Sequence, residues 1–87
     1  MIIQVSGYKD VLDKDTKQLK GIEVHGVQTV PDRPDPLVHG KLSFRSYFSL
    51  QNLEGIIPLE NQEYEVVFSI SEFQGEYTAR PHHLKEV

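Results

Sequence analysis

The feature of this sequence that most constrains its fold is an alternation of apolar and polar side chains with a period of two residues. In residues 41–50 the large apolar side chains lie on one face of an extended chain, with Ser46 as the small exception: Leu42, Phe44, Phe48 and Leu50. In residues 62–71 the same spacing holds for Tyr64, Val66, Phe68 and Ile70. Because successive side chains of a strand point to opposite faces, both segments are predicted to be strands. No long segment shows the 3.6-residue period of a helix, so the sequence predicts an all-β fold.

The first third of the chain predicts a long hairpin. Residues 2–12 form its first strand, in which Gly7 marks a bend or a bulge. Residues 13–18 are polar and suit the turn. Residues 19–30 form the second strand, where Ile22 and Val24 alternate with polar neighbours.

Residues 31–36 contain three prolines, which lack the amide hydrogens that a central strand needs. We therefore expect residues 31–40 to form an exposed loop, here called the proline-rich loop. A fifth strand is predicted near residues 76–80, after a turn at residues 72–75, and residues 81–87 either extend this strand or fray.

The length of 87 residues suits one domain. An open sheet of five strands exposes its edges, which partial closure into a barrel removes. Three consecutive strands, a connection at residues 51–61 with room for a helical turn, and a terminal hairpin follow the order of an OB-fold. The sequence thus predicts an OB-like small barrel with a short helical turn between strands three and four. An SH3-like barrel is the alternative.

Composition narrows the classes of function. The sequence has no cysteine, which excludes disulfides, zinc–thiolate sites and thiol catalysis, and favours a reducing compartment. Residues 1–7 lack the features of a signal peptide, and no stretch approaches the roughly 20 apolar residues of a membrane span. We therefore expect a cytoplasmic protein without membrane contact. Motifs for nucleophilic, phosphate-binding or metalloprotease chemistry are absent, so we expect no enzyme and no cofactor.

The best candidate binding surface is the polar face of the third strand, which carries Lys41, Arg45 and Tyr47. Binders of single strands use cations to contact phosphates and exposed rings on which bases stack. Lys17 and Lys20 lie in and after the first turn, where an OB-fold has a ligand-binding loop, and Phe73 flanks the last turn. Tyr77, close to Phe73, is expected to pack in the core.

The order of these segments resembles the small OB-fold single-stranded-DNA-binding proteins of filamentous phages and Gram-positive mobile elements. The resemblance rests on residues 5–9, on the basic turn and amphipathic strand of residues 17–24, and on residues 64–66 followed by Gly75. It implies non-catalytic, sequence-tolerant coating of single strands by homodimers. The chain differs from that family in its formal net charge of −4, which opposes the approach of a nucleic acid and predicts steeply salt-dependent binding.

Other interpretations of the sequence remain open. The chain is alternatively a protein-interaction domain, or a structural accessory piece of a phage or mobile-element system. Its acidic side chains would then face a basic partner: Glu54, Glu60, Glu63 and Glu65. We expect no metal site. Residues 13–24 lack the glycine and glutamate of an EF-hand loop, and His82 and His83, as neighbours on a strand, should point to opposite faces.

Overall fold

The computed structural model describes residues 1–31 and 33–87 and confirms that the fold is all-β. The described residues form five strands and one short helix, which are β1 (Ile2–Leu12), β2 (Leu19–Val30), β3 (Ser43–Ser49), α1 (Leu50–Leu53), β4 (Glu63–Phe73) and β5 (Glu76–Glu86). The predicted helical turn between the third and fourth strands is α1. The strand β5 continues through most of the C-terminal segment, which the sequence left open.

The strands form a single antiparallel sheet in the order β3-β2-β1-β4-β5. Strand β1 is central and pairs with both β2 and β4. The edge strands β3 and β5 approach each other, and α1 contacts both. Within the described residues, however, no hydrogen-bonded ladder joins β3 to β5, so the sheet is open and the predicted closure into a barrel is not shown.

Local interactions explain where the first hairpin bends and turns. The Asp13 carboxylate accepts hydrogen bonds from the backbone amides of Asp15 and Thr16 at 2.9 and 3.0 Å, which closes the polar turn between β1 and β2. The pairing of β1 with β2 shifts register between Val5 and Gly7, which leaves Ser6 as the extra residue, so the irregularity predicted at Gly7 lies directly before it.

The hairpin of β4 and β5 ends in a two-residue turn. Gln74 and Gly75 both have positive φ angles, 53° and 83°. This combination is that of a type I′ turn, whose twist matches that of the two strands it connects.

The core lies on one face of the sheet and is covered at one end by α1. Its buried side chains are Ile3, Val5, Ile22, Val24, Phe44, Phe48, Leu53, Tyr64, Val66 and Leu84. The Ser49 hydroxyl accepts a hydrogen bond from the amide of Asn52 at 3.3 Å, which caps α1 and directs Leu53 into this core. The hydroxyl of Tyr64 accepts a hydrogen bond from the amide of Leu59 at 2.9 Å, which fastens the connection between α1 and β4.

Several apolar side chains predicted to be buried are exposed. Tyr77 was expected in the core but is 73% exposed, and Ile70 shares a face with Tyr64 yet is also 73% exposed. The reason is that β4 pairs with β1 only at residues 63–65. Beyond residue 68 the hairpin of β4 and β5 extends past the rest of the sheet, and every residue of this arm (residues 69–80) is exposed. Leu42, which precedes β3, and Leu50, the first residue of α1, are half exposed.

The loop at residues 31–40 is exposed at each of its described positions, as predicted from its prolines. The side chain of Asp35 accepts a hydrogen bond from the amide of Leu37 at 2.9 Å, which gives this loop a local turn. None of the helical structure in the described residues is long and apolar enough to cross a membrane.

A matched pair of leucines tests this assignment of the core. Leu84 is 1% exposed and Leu37 is 84% exposed. We predict that Leu84→Ala lowers the free energy of unfolding by about 2–5 kcal/mol, because it leaves a cavity in the core, whereas Leu37→Ala changes it by less than about 0.5 kcal/mol. Urea denaturation followed by circular dichroism measures both values. Equal effects of the two substitutions would contradict the core described above.

Candidate nucleic-acid interface

The polar face of the sheet opposite the core brings charged side chains of three strands together. In one row across the sheet, Lys9 of β1 pairs with Glu23 of β2, which pairs with Tyr47 of β3. In the next such row, His25 of β2 pairs with Arg45 of β3. Paired residues of antiparallel strands lie on the same face. These five side chains therefore form one surface, here called the outer face.

The ring of Tyr47 lies across Gly21 on β2. A Cβ atom added at Gly21 would come within 2.5 Å of the ring atom Cε2, so a larger residue there displaces the ring. The Tyr47 hydroxyl donates a hydrogen bond to the backbone carbonyl of Lys20 at 3.2 Å, which fixes the direction of the ring. With 44% of its surface exposed, Tyr47 is held against the sheet and remains accessible to a stacking partner.

A carboxylate lies among the cations of the outer face. Oε1 of Glu23 is 2.7 Å from Nε2 of His25. This hydrogen bond is the largest cause of a lowered pKa of Glu23, and the charges of His25, Arg45 and Lys9 lower the pKa further, while partial desolvation opposes them. Glu23 therefore stays ionised at neutral pH and offsets part of the positive charge of the surrounding side chains.

The three predicted lysines, Lys41, Lys20 and Lys17, lie outside the outer face. Lys41 precedes β3 and lines, together with Arg33 of the proline-rich loop, a cavity of about 470 Å³ beside Met1. Lys20 lies next to the outer face, through the hydrogen bond of its carbonyl with Tyr47. Lys17 lies in the turn between β1 and β2, where its φ angle is 62°.

Phe73 does not lie on the outer face. It is the last residue of β4, eight positions beyond the last residue that pairs with β1. At about 3.3 Å per residue this is roughly 26 Å along the strand. Phe73 therefore lies at the tip of the arm, and the structure separates it from Arg45 and Tyr47.

Lys9, Glu23 and His25 were not among the predicted site residues, although the sequence contained a signal for Glu23 and His25. Glu23 and His25 alternate with the apolar Ile22 and Val24, which places them on the polar face of β2. Finding them as neighbours of Arg45 required the register between the strands, which the alternation alone does not give.

The prediction that His82 and His83 point to opposite faces is wrong. In the pairing of β4 with β5, His83 lies opposite Val67 and Pro81 lies opposite Phe68, which leaves His82 as the extra residue of a β-bulge. A bulge interrupts the alternation of a strand. As a result, the Nδ1 atoms of the two histidines are only 2.9 Å apart.

Comparison with known proteins gives no relative from which a function could be transferred. No family model, no curated protein and no solved structure matches this chain. The candidate interface therefore rests on the geometry of its own residues.

The hydrogen bond between His25 and Glu23 predicts how the pKa of Glu23 responds when the histidine is removed. We expect His25→Ala to raise the pKa of Glu23 toward its ordinary value of 4.5, because the main cause of the lowered pKa is removed. A carboxylate with a lowered native pKa stabilises the fold above its unfolded-state pKa, and this stabilisation is lost as pH falls through the native pKa. His25→Ala should thus weaken the acid dependence of stability.

Carbon-detected NMR titration of the Glu23 side chain measures this pKa. Lys9→Ala serves as the control, since the charge of Lys9 is a smaller cause of the lowered pKa and its loss should have less effect. A pKa of Glu23 that responds to Lys9→Ala but not to His25→Ala would contradict this account.

Proposed function

We propose that this protein is a non-catalytic binding module for single-stranded nucleic acid, with DNA favoured, and that the strand binds on the outer face. The observation that carries the proposal is the arrangement of Tyr47 against Gly21 with Arg45 beside it on β3 and Lys9 across the sheet. A fixed exposed ring with cations on the same face of the sheet is the combination that single-strand binding requires.

Each part of this surface has a chemical role in the proposal. Bases stack on the exposed part of the Tyr47 ring, and such stacking contributes about 1–3 kcal/mol per base. Arg45 and Lys9 contact the phosphates, with Lys20 and Lys17 extending this positive path toward the first turn. None of these contacts reads the edge of a base, so the binding is tolerant of sequence.

The strand order supports an OB-like arrangement. The central position of β1 and the location of α1 against both edge strands are features of a sheet that curls toward closure. In OB-folds the face of strands two and three carries the nucleic acid. The outer face includes those two strands in this chain.

The formal net charge of −4 shapes how this surface binds. The field of the whole molecule repels an anion, so attraction depends on the few cations near the outer face and is weakened further by screening. The proposed affinity is therefore modest, and it falls as the salt concentration rises.

Fluorescence anisotropy of a short labelled oligo(dT), spanning a single binding site, tests the proposal. We predict saturable binding at low salt that weakens as salt is added, and a loss of at least tenfold in affinity for Arg45→Ala/Tyr47→Ala, because both a phosphate contact and a stacking platform are removed.

Arg80→Ala/Tyr77→Ala is the matched control. It removes the same two residue types from the arm, where both are exposed, and should leave the binding of a short strand unchanged. Equal losses from the two double variants would relocate the site, and absence of binding at low salt would rule out the proposed function.

A second prediction concerns the carboxylate of the outer face. Replacing Glu23 with glutamine should tighten binding by roughly two- to fivefold, because the only negative charge of this five-residue surface is removed. Glu65→Gln, which makes the same charge change on β4, is the control for a general effect of net charge. Equal gains from both variants in the same anisotropy assay would show that Glu23 has no special position.

The arm supports a second proposal, which is self-association. Along the face that continues from the core, paired residues of β4 and β5 present Phe68 opposite Pro81, Ile70 opposite Ala79, and Glu72 opposite Tyr77. Ile70 and Tyr77 are 73% exposed, as is expected for a surface that a second copy of the chain covers. We propose that two arms pack together in a homodimer with two-fold symmetry.

Substitutions on the two faces of the arm test this dimer. We predict that Ile70→Asp yields a monomer, because it would bury an unpaired carboxylate in the apolar surface that the two arms share. Ser69→Asp changes the neighbouring position on the opposite face of β4 and should remain dimeric. Light scattering coupled to size exclusion measures the mass. A wild-type chain that stays monomeric at high concentration would exclude self-association without affecting the nucleic-acid proposal.

A further inference from the structure

The core face of the sheet carries an apolar groove that the proposed function does not use. The groove has a volume of about 370 Å³ and lies between the hairpin of β1 and β2 and the segment that leads from α1 toward β4. Its apolar walls include Leu19 and Ile22 of β2, Leu50 of α1, and Ile57. Leu50 and Ile57 are exposed, so the groove is open to solvent. An open apolar surface of this kind is typical of an interaction site.

The β-bulge of β1 places a carboxylate in this groove. Before the bulge, Val5 lies in the core. After it, Tyr8 pairs with the buried Val24, and Asp10 pairs in the same way with the buried Ile22. Because paired residues share a face, Tyr8 and Asp10 lie on the core face, whereas an uninterrupted strand would direct them to the outer face. Both side chains line the groove.

The Asp10 carboxylate has no cation beside it in the part of the chain that the structure describes. The ion pair found there joins Glu23 to His25 on the outer face, and the groove lining contains no lysine, arginine or histidine. A carboxylate among apolar side chains favours a cation that brings apolar surface with it. The exposed ring of Tyr8, two residues before Asp10, also attracts a cation. The groove therefore suits a lysine or arginine beside a large apolar side chain.

The edge of β1 beside the groove has no partner strand. Strand β4 pairs only with residues 2–4 of β1, and Val5 makes the next backbone hydrogen bonds, with Asn61 and Gln62. Residues 7–12 of β1 pair with β2 on their other side. Within the described residues, no strand pairs with the edge of residues 7–12 that faces away from β2. An unpaired edge of this kind is a template for another extended chain.

We propose that the groove binds an extended segment of a partner protein, which adds as a strand to this edge of β1. The segment places an apolar and a basic side chain, two residues apart, in the groove, because alternate side chains of a strand face the same way. The basic side chain contacts Asp10 and Tyr8, and the apolar side chain packs against Leu50 and Ile57. Backbone pairing contributes the affinity, and the two side chains contribute the specificity. The outer face lies on the opposite side of the sheet, so this site is independent of nucleic-acid binding.

A blocked peptide of sequence TITKTIT, added to the ¹⁵N-labelled full chain and followed by NMR, tests the proposal. Its lysine has an isoleucine two residues away on either side, so either strand direction is accommodated. We expect saturable shifts at the amides of residues 8–12 and of Ile56 and Ile57. Hydrogen exchange should slow at the amides of residues 8–12 that face away from β2, because the added strand accepts their hydrogen bonds. The peptide TITETIT, which carries a carboxylate instead, should bind about tenfold or more weakly.

A reversal of charge at Asp10 tests the recognition directly. Asp10→Lys should reverse the preference, so that TITETIT binds more tightly than TITKTIT. Asp15→Lys is the matched control, because it makes the same change of charge at an exposed position in the turn after β1, and it should keep the preference of the wild type.

A second pair of variants tests the apolar wall. Ile57→Asp should weaken the binding of TITKTIT by about tenfold or more, because a carboxylate replaces the apolar contact. Leu37→Asp changes an exposed apolar residue of the proline-rich loop and should have no effect. The dispersion of the NMR spectrum shows that each variant is folded.

Four results would overturn the proposal. The first is the absence of shifts around the groove, and the second is an equal change of preference in Asp10→Lys and Asp15→Lys. The third is displacement of the peptide by octylammonium chloride at a similar concentration, with no slowing of exchange in β1, which would assign the groove to a small amphipathic cation. The fourth is the appearance of the same shifts when the protein concentration is raised without peptide, which would assign the groove to a second copy of the chain.

Discussion

The whole structure depends on the short junction at which β1 joins the two hairpins. Ile3 and Val5 of β1 are fully buried there, and β1 pairs with β4 over only three residue pairs. The amide of Val5 donates to the carbonyl of Gln62 at 2.9 Å, and its carbonyl accepts from the amide of Asn61 at 2.7 Å, which extends this contact. Because these few interactions unite the hairpins, they define both the core and the parts of the sheet that project beyond it.

The position of this junction explains why strands were easier to predict than burial. Alternation gave the faces correctly, since Phe44 and Phe48 are both buried and Arg45 and Tyr47 lie on the opposite face. Alternation did not show how far along each strand the apolar side chains are buried by other parts of the fold. Ile70 continues the apolar face of β4 but lies beyond the residues of β4 that pair with β1. Its exposure therefore depends on tertiary contacts that a local pattern does not contain.

For the candidate site too, the sequence predicted the faces of single strands but not which residues of neighbouring strands lie beside each other. The polar face of β3 was visible in the sequence, but its partners depended on the register of β1 and β2. The structure places Glu23 between Lys9 and Tyr47 and excludes Phe73, which lies at the tip of the arm. The β-bulge at His82 likewise depends on the pairing of two strands. In this chain of net charge −4, the register of three strands thus brings Lys9, His25 and Arg45 to one face. The carboxylate of Glu23 lies among them and reduces the positive potential of that face.

The most direct test of the central claim is to map the binding of oligo(dT) by NMR on the uniformly ¹⁵N-labelled chain at low salt. We predict concentration-dependent shifts on and beside the outer face, at the amides of Lys9, Gly21, His25, Arg45 and Tyr47, with little change at the tip of the arm. Shifts concentrated on the arm or on the connection after α1 would contradict the proposed location of the site, and a spectrum that does not change would contradict nucleic-acid binding and favour a protein partner.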